Sequence, residues 1–173
     1  TTMPKQLLTI LLLLHSGFAF SQKQYFQQQV DYTIDVTLDD RSHILRGFET
    51  MQYTNHSNDT LKVIFMHLWP NAYKDDQSSY TQQEVENGKT SFYFSNENDK
   101  GFIDSLNFMV DGVTVNFSTY NNHDDIALID LIEPLAPGKS IEIATPFRVV
   151  IPYTYSRMGH VGQSYQLSQW YPK

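Results

Sequence analysis

The clearest periodicity begins at Val30, where Val30, Tyr32, Ile34, Val36 and Leu38 alternate with Asp31, Thr33, Asp35 and Thr37. Side chains of a strand point alternately to its two faces, so this spacing predicts a half-buried strand over residues 30–38. Asp39-Asp40-Arg41-Ser42 then supplies turn chemistry. A second strand is expected over residues 44–54, with a bulge at Gly47, where the apolar parity slips. Residues 61–69 are almost continuously apolar, which predicts a central strand buried on both faces, the three strands forming an antiparallel meander. Asn55 to Thr60 is the tight connection before it.

Residues 70–100 are polar and rich in Gln and Asn, with Phe92-Tyr93-Phe94 as an apolar island. Residues 78–87 fit one short helix ended near Gly88, or else a long functional loop. Strand patterns resume over residues 102–110, and Asp111-Gly112 is a two-residue hairpin turn into Val113-Thr114-Val115-Asn116-Phe117. Residues 126–132 and 141–151 complete the set. In the last, Ile141, Ile143, Thr145, Phe147, Val149 and Ile151 line one face, and Pro146 argues for an edge or bulged position. There is no internal repeat, and the fold class is mainly β, a twisted antiparallel sheet or a sandwich.

The front of the chain reads differently. Lys5, the apolar run Leu7-Leu8-Thr9-Ile10-Leu11-Leu12-Leu13-Leu14 and then Gly17-Phe18-Ala19-Phe20-Ser21 describe an export signal, residues 1–21, cleaved after Ser21. The run is short of the roughly 20 residues that a spanning helix needs. The expected destination is the periplasm or the extracellular space, with no membrane association after cleavage and residues 22–173 forming one β-rich domain, expected to be incomplete at its C-terminus. At the other end, Gln169-Trp170-Tyr171-Pro172-Lys173 places two large aromatics where a chain end is usually small and polar. They would stay wet unless further polypeptide covered them.

Charge and composition narrow the function. The 173 residues carry a formal charge of −7; without residues 1–21, 11 basic residues stand against 19 acidic ones, a charge of −8. Such a surface repels phosphates, which excludes a nucleic-acid partner. The absence of cysteine removes thiolate zinc sites, iron–sulfur clusters and Cys nucleophiles, and leaves packing as the source of stability. His43, His56, His67, His123 and His160 stand singly, without metal-ligand spacing, and His67 reads as a hydrogen-bonded core residue. Asp39-Asp40, Asp75-Asp76 and Asp124-Asp125 read as solvated turn tips. No nucleophile elbow or phosphate loop occurs. Asn55, Asn58 and Asn116 begin glycosylation sequons. Trp69, Tyr73, Trp170 and Tyr171 could form a stacking platform.

Several segments together resemble the N-terminal domain of the aminopeptidase N and leukotriene hydrolase family of zinc metallopeptidases, in its secreted bacterial form. They are Asp31-Tyr32-Thr33-Ile34-Asp35-Val36-Thr37-Leu38-Asp39 with Arg46-Gly47-Phe48-Glu49-Thr50, His67-Leu68-Trp69-Pro70-Asn71-Ala72-Tyr73, Pro134-Leu135-Ala136-Pro137-Gly138-Lys139, and Ser156-Arg157-Met158-Gly159 leading to Gln169-Trp170-Tyr171-Pro172. The resemblance covers most of residues 25–173. It implies a saddle-like β-domain packed on a catalytic domain that this sequence does not contain, with zinc expected in that missing domain and none in this chain. The catalytic residues implied are none here, because His-Glu-x-x-His is absent. One substrate-binding residue is implied, Gln169, whose amide oxygen would face the free α-amine of a peptide. The competing expectation is a free-standing extracellular β-sandwich that binds glycans or peptides through its aromatics.

Overall fold

The computed structural model describes residues 26–173 apart from Asn122 and Thr154; the export signal expected over residues 1–21 lies outside them. The chain is mainly β, with antiparallel sheets. Strands β1 (Gln29–Asp39) and β2 (Ile44–Thr54) form a hairpin. Its turn is closed by Asp39, whose Oδ1 accepts from the backbone N–H groups of Arg41 and Ser42 at 3.0 and 3.3 Å while Oδ2 accepts from Ser42 Oγ at 2.6 Å.

The next strands are β3 (Leu61–His67), β4 (Phe102–Asp104), β5 (Met109–Val110), β6 (Val113–Thr114) and β7 (Phe117–Tyr120). They are followed by β8 (His123–Leu135), β9 (Ser140–Val150), β10 (Met158–Val161) and β11 (Ser164–Leu167). The first sheet runs β1-β2-β9-β5-β6, with β4 also paired to β9; the second runs β3-β8-β7; β10 and β11 form a separate hairpin. Both sheets contribute to one core cluster, which includes Met51, Ile64, Phe108, Ile129, Ile143 and Val149. All six residues expected on the inner face of β9 are buried.

Three local expectations are corrected. Gly47 makes no bulge, since β2 pairs without interruption with β1 and with β9. The apolar parity slips there because Phe48 faces outward, 42% exposed, while Glu49 is wholly buried. Gly47 is needed for a different reason: a Cβ on it would meet the Phe147 ring and the Asp35 carbonyl. Next, β3 is neither central nor doubly buried. It leaves β2 for the second sheet, pairs with β8, and alternates between buried Ile64 and Met66 and an exposed Phe65. Finally, β9 is a central strand despite Pro146. The N–H of Asp111 reaches Glu142 O and that of Ile151 reaches His43 O, so even-numbered backbone groups of β9 face away from β2. Pro146 therefore turns its hydrogen-free nitrogen to the gap between β4, which ends its pairing at Arg148, and β5, which begins at Ala144.

The helical reading of residues 78–87 holds. Helix α1 (Ser79–Glu86) is capped by Ser78, whose side chain accepts from Thr81 N–H at 3.2 Å. It ends in a Schellman motif: Gly88 at φ 76° donates to Val85 O, and Lys89 donates to Glu84 O. Asp111 and Gly112, at φ 47° and 79°, give the expected turn between β5 and β6.

Candidate functional site

A cleft of about 460 Å³ with mixed polar and apolar walls is built from three distant stretches of chain. Its floor is the 3₁₀ turn Trp69–Tyr73 that follows β3. Pro70 suits the first positions of such a turn because its fixed φ is preorganised and no N–H is lost. Asn71 anchors the turn, donating from Nδ2 to Asp124 O at 2.8 Å and accepting from Ile103 N–H at 2.9 Å through Oδ1. Leu68 N–H donates to Asp125 O at 2.7 Å, tying the same turn to the start of β8.

Helix α1 forms one wall through Ser79, Tyr80, Gln83 and Glu84. It is held down by Ser78 Oγ, which donates to Ala72 O at 2.7 Å, and by an aromatic cluster in which Tyr73, Tyr80 and Phe92 meet edge to face. Burial, with Glu84 and then Tyr73 and Tyr155 adding to it, pushes the Tyr80 phenol up to about 12, so this hydroxyl keeps its proton at neutral pH. The opposite wall is Ser156, Arg157 and Met158, running into β10, together with Ser168 and Gln169 beyond β11. Ser168 Oγ donates to Arg157 O at 2.5 Å and joins the two strands of this wall.

Gln169 has a left-handed backbone at φ 59°. A non-glycine residue held there costs of order 1–3 kcal/mol, a strain that collects at ligand-facing positions. Gln169, Glu84 and Asp125 are among the lining residues, with the Glu84 carboxylate also 3.4 Å from Lys89 Nζ, and amide and carboxylate groups of this kind suit a ligand with a cationic donor.

The four aromatics expected to share a platform separate. Trp69 and Tyr73 line the cleft. Trp170 packs on Phe147 with centroids 6.0 Å apart, and Tyr171 meets Tyr32 edge-on at 5.5 Å, so both lie half-buried on the first sheet. These rings find partners within the described residues while staying partly exposed, and Lys173 exchanges two backbone hydrogen bonds with His67. His67 is corrected in part, for its ring stacks on Trp69 at 4.6 Å and its buried Nδ1 has no hydrogen-bond partner among the described residues.

Among the described residues, no group of three or more His, Asp or Glu side chains lies close enough to hold a metal ion, so the donor set does not fit a zinc site. Sequence reasoning missed Tyr80, Glu84 and Asp125 as cleft residues. Only the helix period could have pointed to the first two, by placing residues 80 and 84 on one side of α1.

No family model matches the sequence, and no curated protein matches it. Among solved structures, the chain is similar to an M1 zinc metallopeptidase mutant from Deinococcus radiodurans bound to a Tyr-Ser-Ala substrate, with 12% identity, a TM-score of 0.44, and 74% of this chain and 22% of that one covered. It is also similar to a two-domain M1 zinc metallopeptidase mutant bound to L-arginine, with 11% identity, a TM-score of 0.44, and coverage of 75% and 22%. A third, a two-domain M1 zinc metallopeptidase mutant bound to L-tryptophan, gives 12% identity, a TM-score of 0.43, and coverage of 75% and 22%. The chain thus spans 22% of the length of each of these structures.

Proposed function

We propose that this chain is the N-terminal, non-catalytic β-domain of an exported zinc aminopeptidase, and that its cleft forms one wall of the site holding a peptide's amino end. The observation that carries this reading is a convergence. Trp69, Ala72 and Tyr73, then Arg157 and Met158, then Gln169 belong to three of the motifs that carry the sequence resemblance, and all line the same cleft. A peptide ammonium has three N–H donors, which Gln169 Oε1 and the Glu84 and Asp125 carboxylates are chemically suited to accept. Zinc and the peptide-cleaving step belong, in this proposal, to a catalytic domain of the same polypeptide that supplies His-Glu-x-x-His.

The glycan-binding alternative is less well supported, because Trp170 and Tyr171 are engaged with Phe147 and Tyr32. Calorimetric titration of the chain with tri-alanine amide and with its N-acetylated form tests the reading. The free amine is expected to bind at least tenfold more tightly, and Gln169→Ala is expected to reduce that preference at least threefold. Equal binding of the two peptides would remove the amine-holding role, and chelator-sensitive peptide hydrolysis by this chain alone would remove the non-catalytic one.

A further inference from the structure

The distal half of the β10–β11 hairpin is fastened to the β1–β2 turn by a ring stack for which no role has been given above. His43, from the turn, lies on His160 of β10 with ring centroids 3.6 Å apart and planes 17° from parallel. His43 Nδ1 is also 2.7 Å from the hydroxyl of Tyr165, the residue paired with His160 across the hairpin. His43 holds this place from a left-handed backbone, φ 54°. The base of the same hairpin is the cleft wall containing Arg157, Met158 and Ser168.

We propose that His43 and His160 form a clasp that holds the cleft's hairpin wall at neutral pH and releases it in acid. The effect on the cleft rests on the reading of that cleft as a ligand site; the clasp itself does not.

The hydrogen bonds place the protons. A carbonyl only accepts, so His160 Nδ1 donates to Gly162 O, 3.1 Å away. Tyr165 O–H donates to Asp40 O at 3.2 Å, which leaves His43 Nδ1 as the donor to the Tyr165 oxygen. In the neutral pair, the nitrogen left without a hydrogen on each ring is therefore Nε2. The second proton must join a ring stacked directly on a cation, and like charges at this separation repel.

The surrounding groups set the order of events. The turn presents Asp39, Asp40 and Arg41. Asp40 Oδ2 also accepts from Gln163 Nε2 at 3.3 Å. The Asp99 carboxylate acts on His160, and the Asp99 carbonyl accepts from Tyr153 N–H, whose ring meets His160 edge-on at 6.4 Å. Of these groups, Asp99 favours a proton on His160, while the neighbouring His43 opposes it. Burial holds His160 below the ordinary imidazole value; the bond to Gly162 pulls it up, His43 presses it down, and Asp99 pulls it up again. A histidine depressed in the folded state contributes its full stabilisation above the ordinary imidazole range, and that contribution falls as the pH drops through it. The direction is release in acid.

Amide hydrogen exchange at pH 7 and pH 5, corrected for intrinsic rates, tests the clasp in the whole chain. Protection of the hairpin amides, residues 158–167, is expected to fall at least tenfold more than that of β9. In His160→Phe, which keeps a ring stack but cannot gain the second charge, the fall is expected to be under twofold. Should circular dichroism show that this variant does not fold, His43→Asn suits the left-handed backbone, removes one charge and carries the same expectation. No selective loss in the wild type overturns the clasp, as does an equal loss in the variant. Tri-alanine amide is expected to bind at least fivefold more weakly at pH 5 than at pH 7 in the wild type only. If exchange behaves as stated while the peptide binds at neither pH, the clasp stands and the reading of the cleft fails.

Discussion

A Cβ placed on Gly47 would lie 2.4 Å from Cζ of Phe147, closer than any real side-chain contact. The Phe147 ring is buried, 2% exposed, and the Asp35 carbonyl oxygen stands 2.8 Å from the same point. Gly47→Ala is therefore expected to destabilise the chain by about 1–3 kcal/mol, the usual cost of overpacking. Urea unfolding measures this as a lowered midpoint at constant m-value. Phe147→Leu in the Gly47→Ala background is expected to recover part of the loss, the remainder reporting the clash with the Asp35 carbonyl.

Glu49 lies in a row with Ile34 of β1 and Thr145 of β9, and neither carboxyl oxygen has a hydrogen-bond partner among the described residues. Burial pushes this carboxyl up to about 8. Its folded value is above its unfolded value, so the native state binds more protons between about pH 4.5 and 8, and stability falls as pH rises through that window. By pH 7 the cost is on the order of 3 kcal/mol. Glu49→Leu is expected to recover most of it and to flatten the pH dependence of the unfolding midpoint between pH 5 and 8. An unchanged slope would show that Glu49 ionises freely in the folded chain.

Asn55 begins a sequon, yet its side chain is fully buried. Nδ2 donates to Asp59 O at 2.8 Å and Leu135 O at 3.0 Å, while Oδ1 accepts from Ser57 N–H and Ser57 Oγ. Asn55→Ala leaves several buried groups unpaired and is expected to cost about 2–4 kcal/mol, read from the shift in thermal midpoint. In a glycosylating host, peptide mass mapping of the folded chain is expected to find glycan at the exposed Asn58 or Asn116 and none at Asn55.

Much of the secondary structure was legible because it depends on neighbours in the chain. The alternation from Val30 to Leu38 made β1, Ser78 and Gly88 bounded α1, and Asp111-Gly112 closed the β5–β6 hairpin. Of the residues lining the cleft, Trp69 and Tyr73 were singled out from the sequence as stacking aromatics and Gln169 by resemblance, but not as parts of one place. The errors fell where pairing partners decide the outcome. The run from Leu61 reads as doubly buried, but β3 pairs only with β8 over most of its length, and Phe65 is left 54% exposed. Pro146 reads as an edge signal, yet a break on one side of β9 accommodates it.

Local order thus came from the chain's own spacing: which residues form strands, where the turns fall, and that the class is mainly β. Tertiary structure alone decided that Gly47 makes room for Phe147, that Glu49 is closed in without a hydrogen-bond partner among the described residues, and that His43 meets His160. The physical reason is range. Backbone preference and side-chain alternation act over a few residues, whereas burial, ring stacking and hydrogen bonding depend on which distant strands the sheets bring side by side.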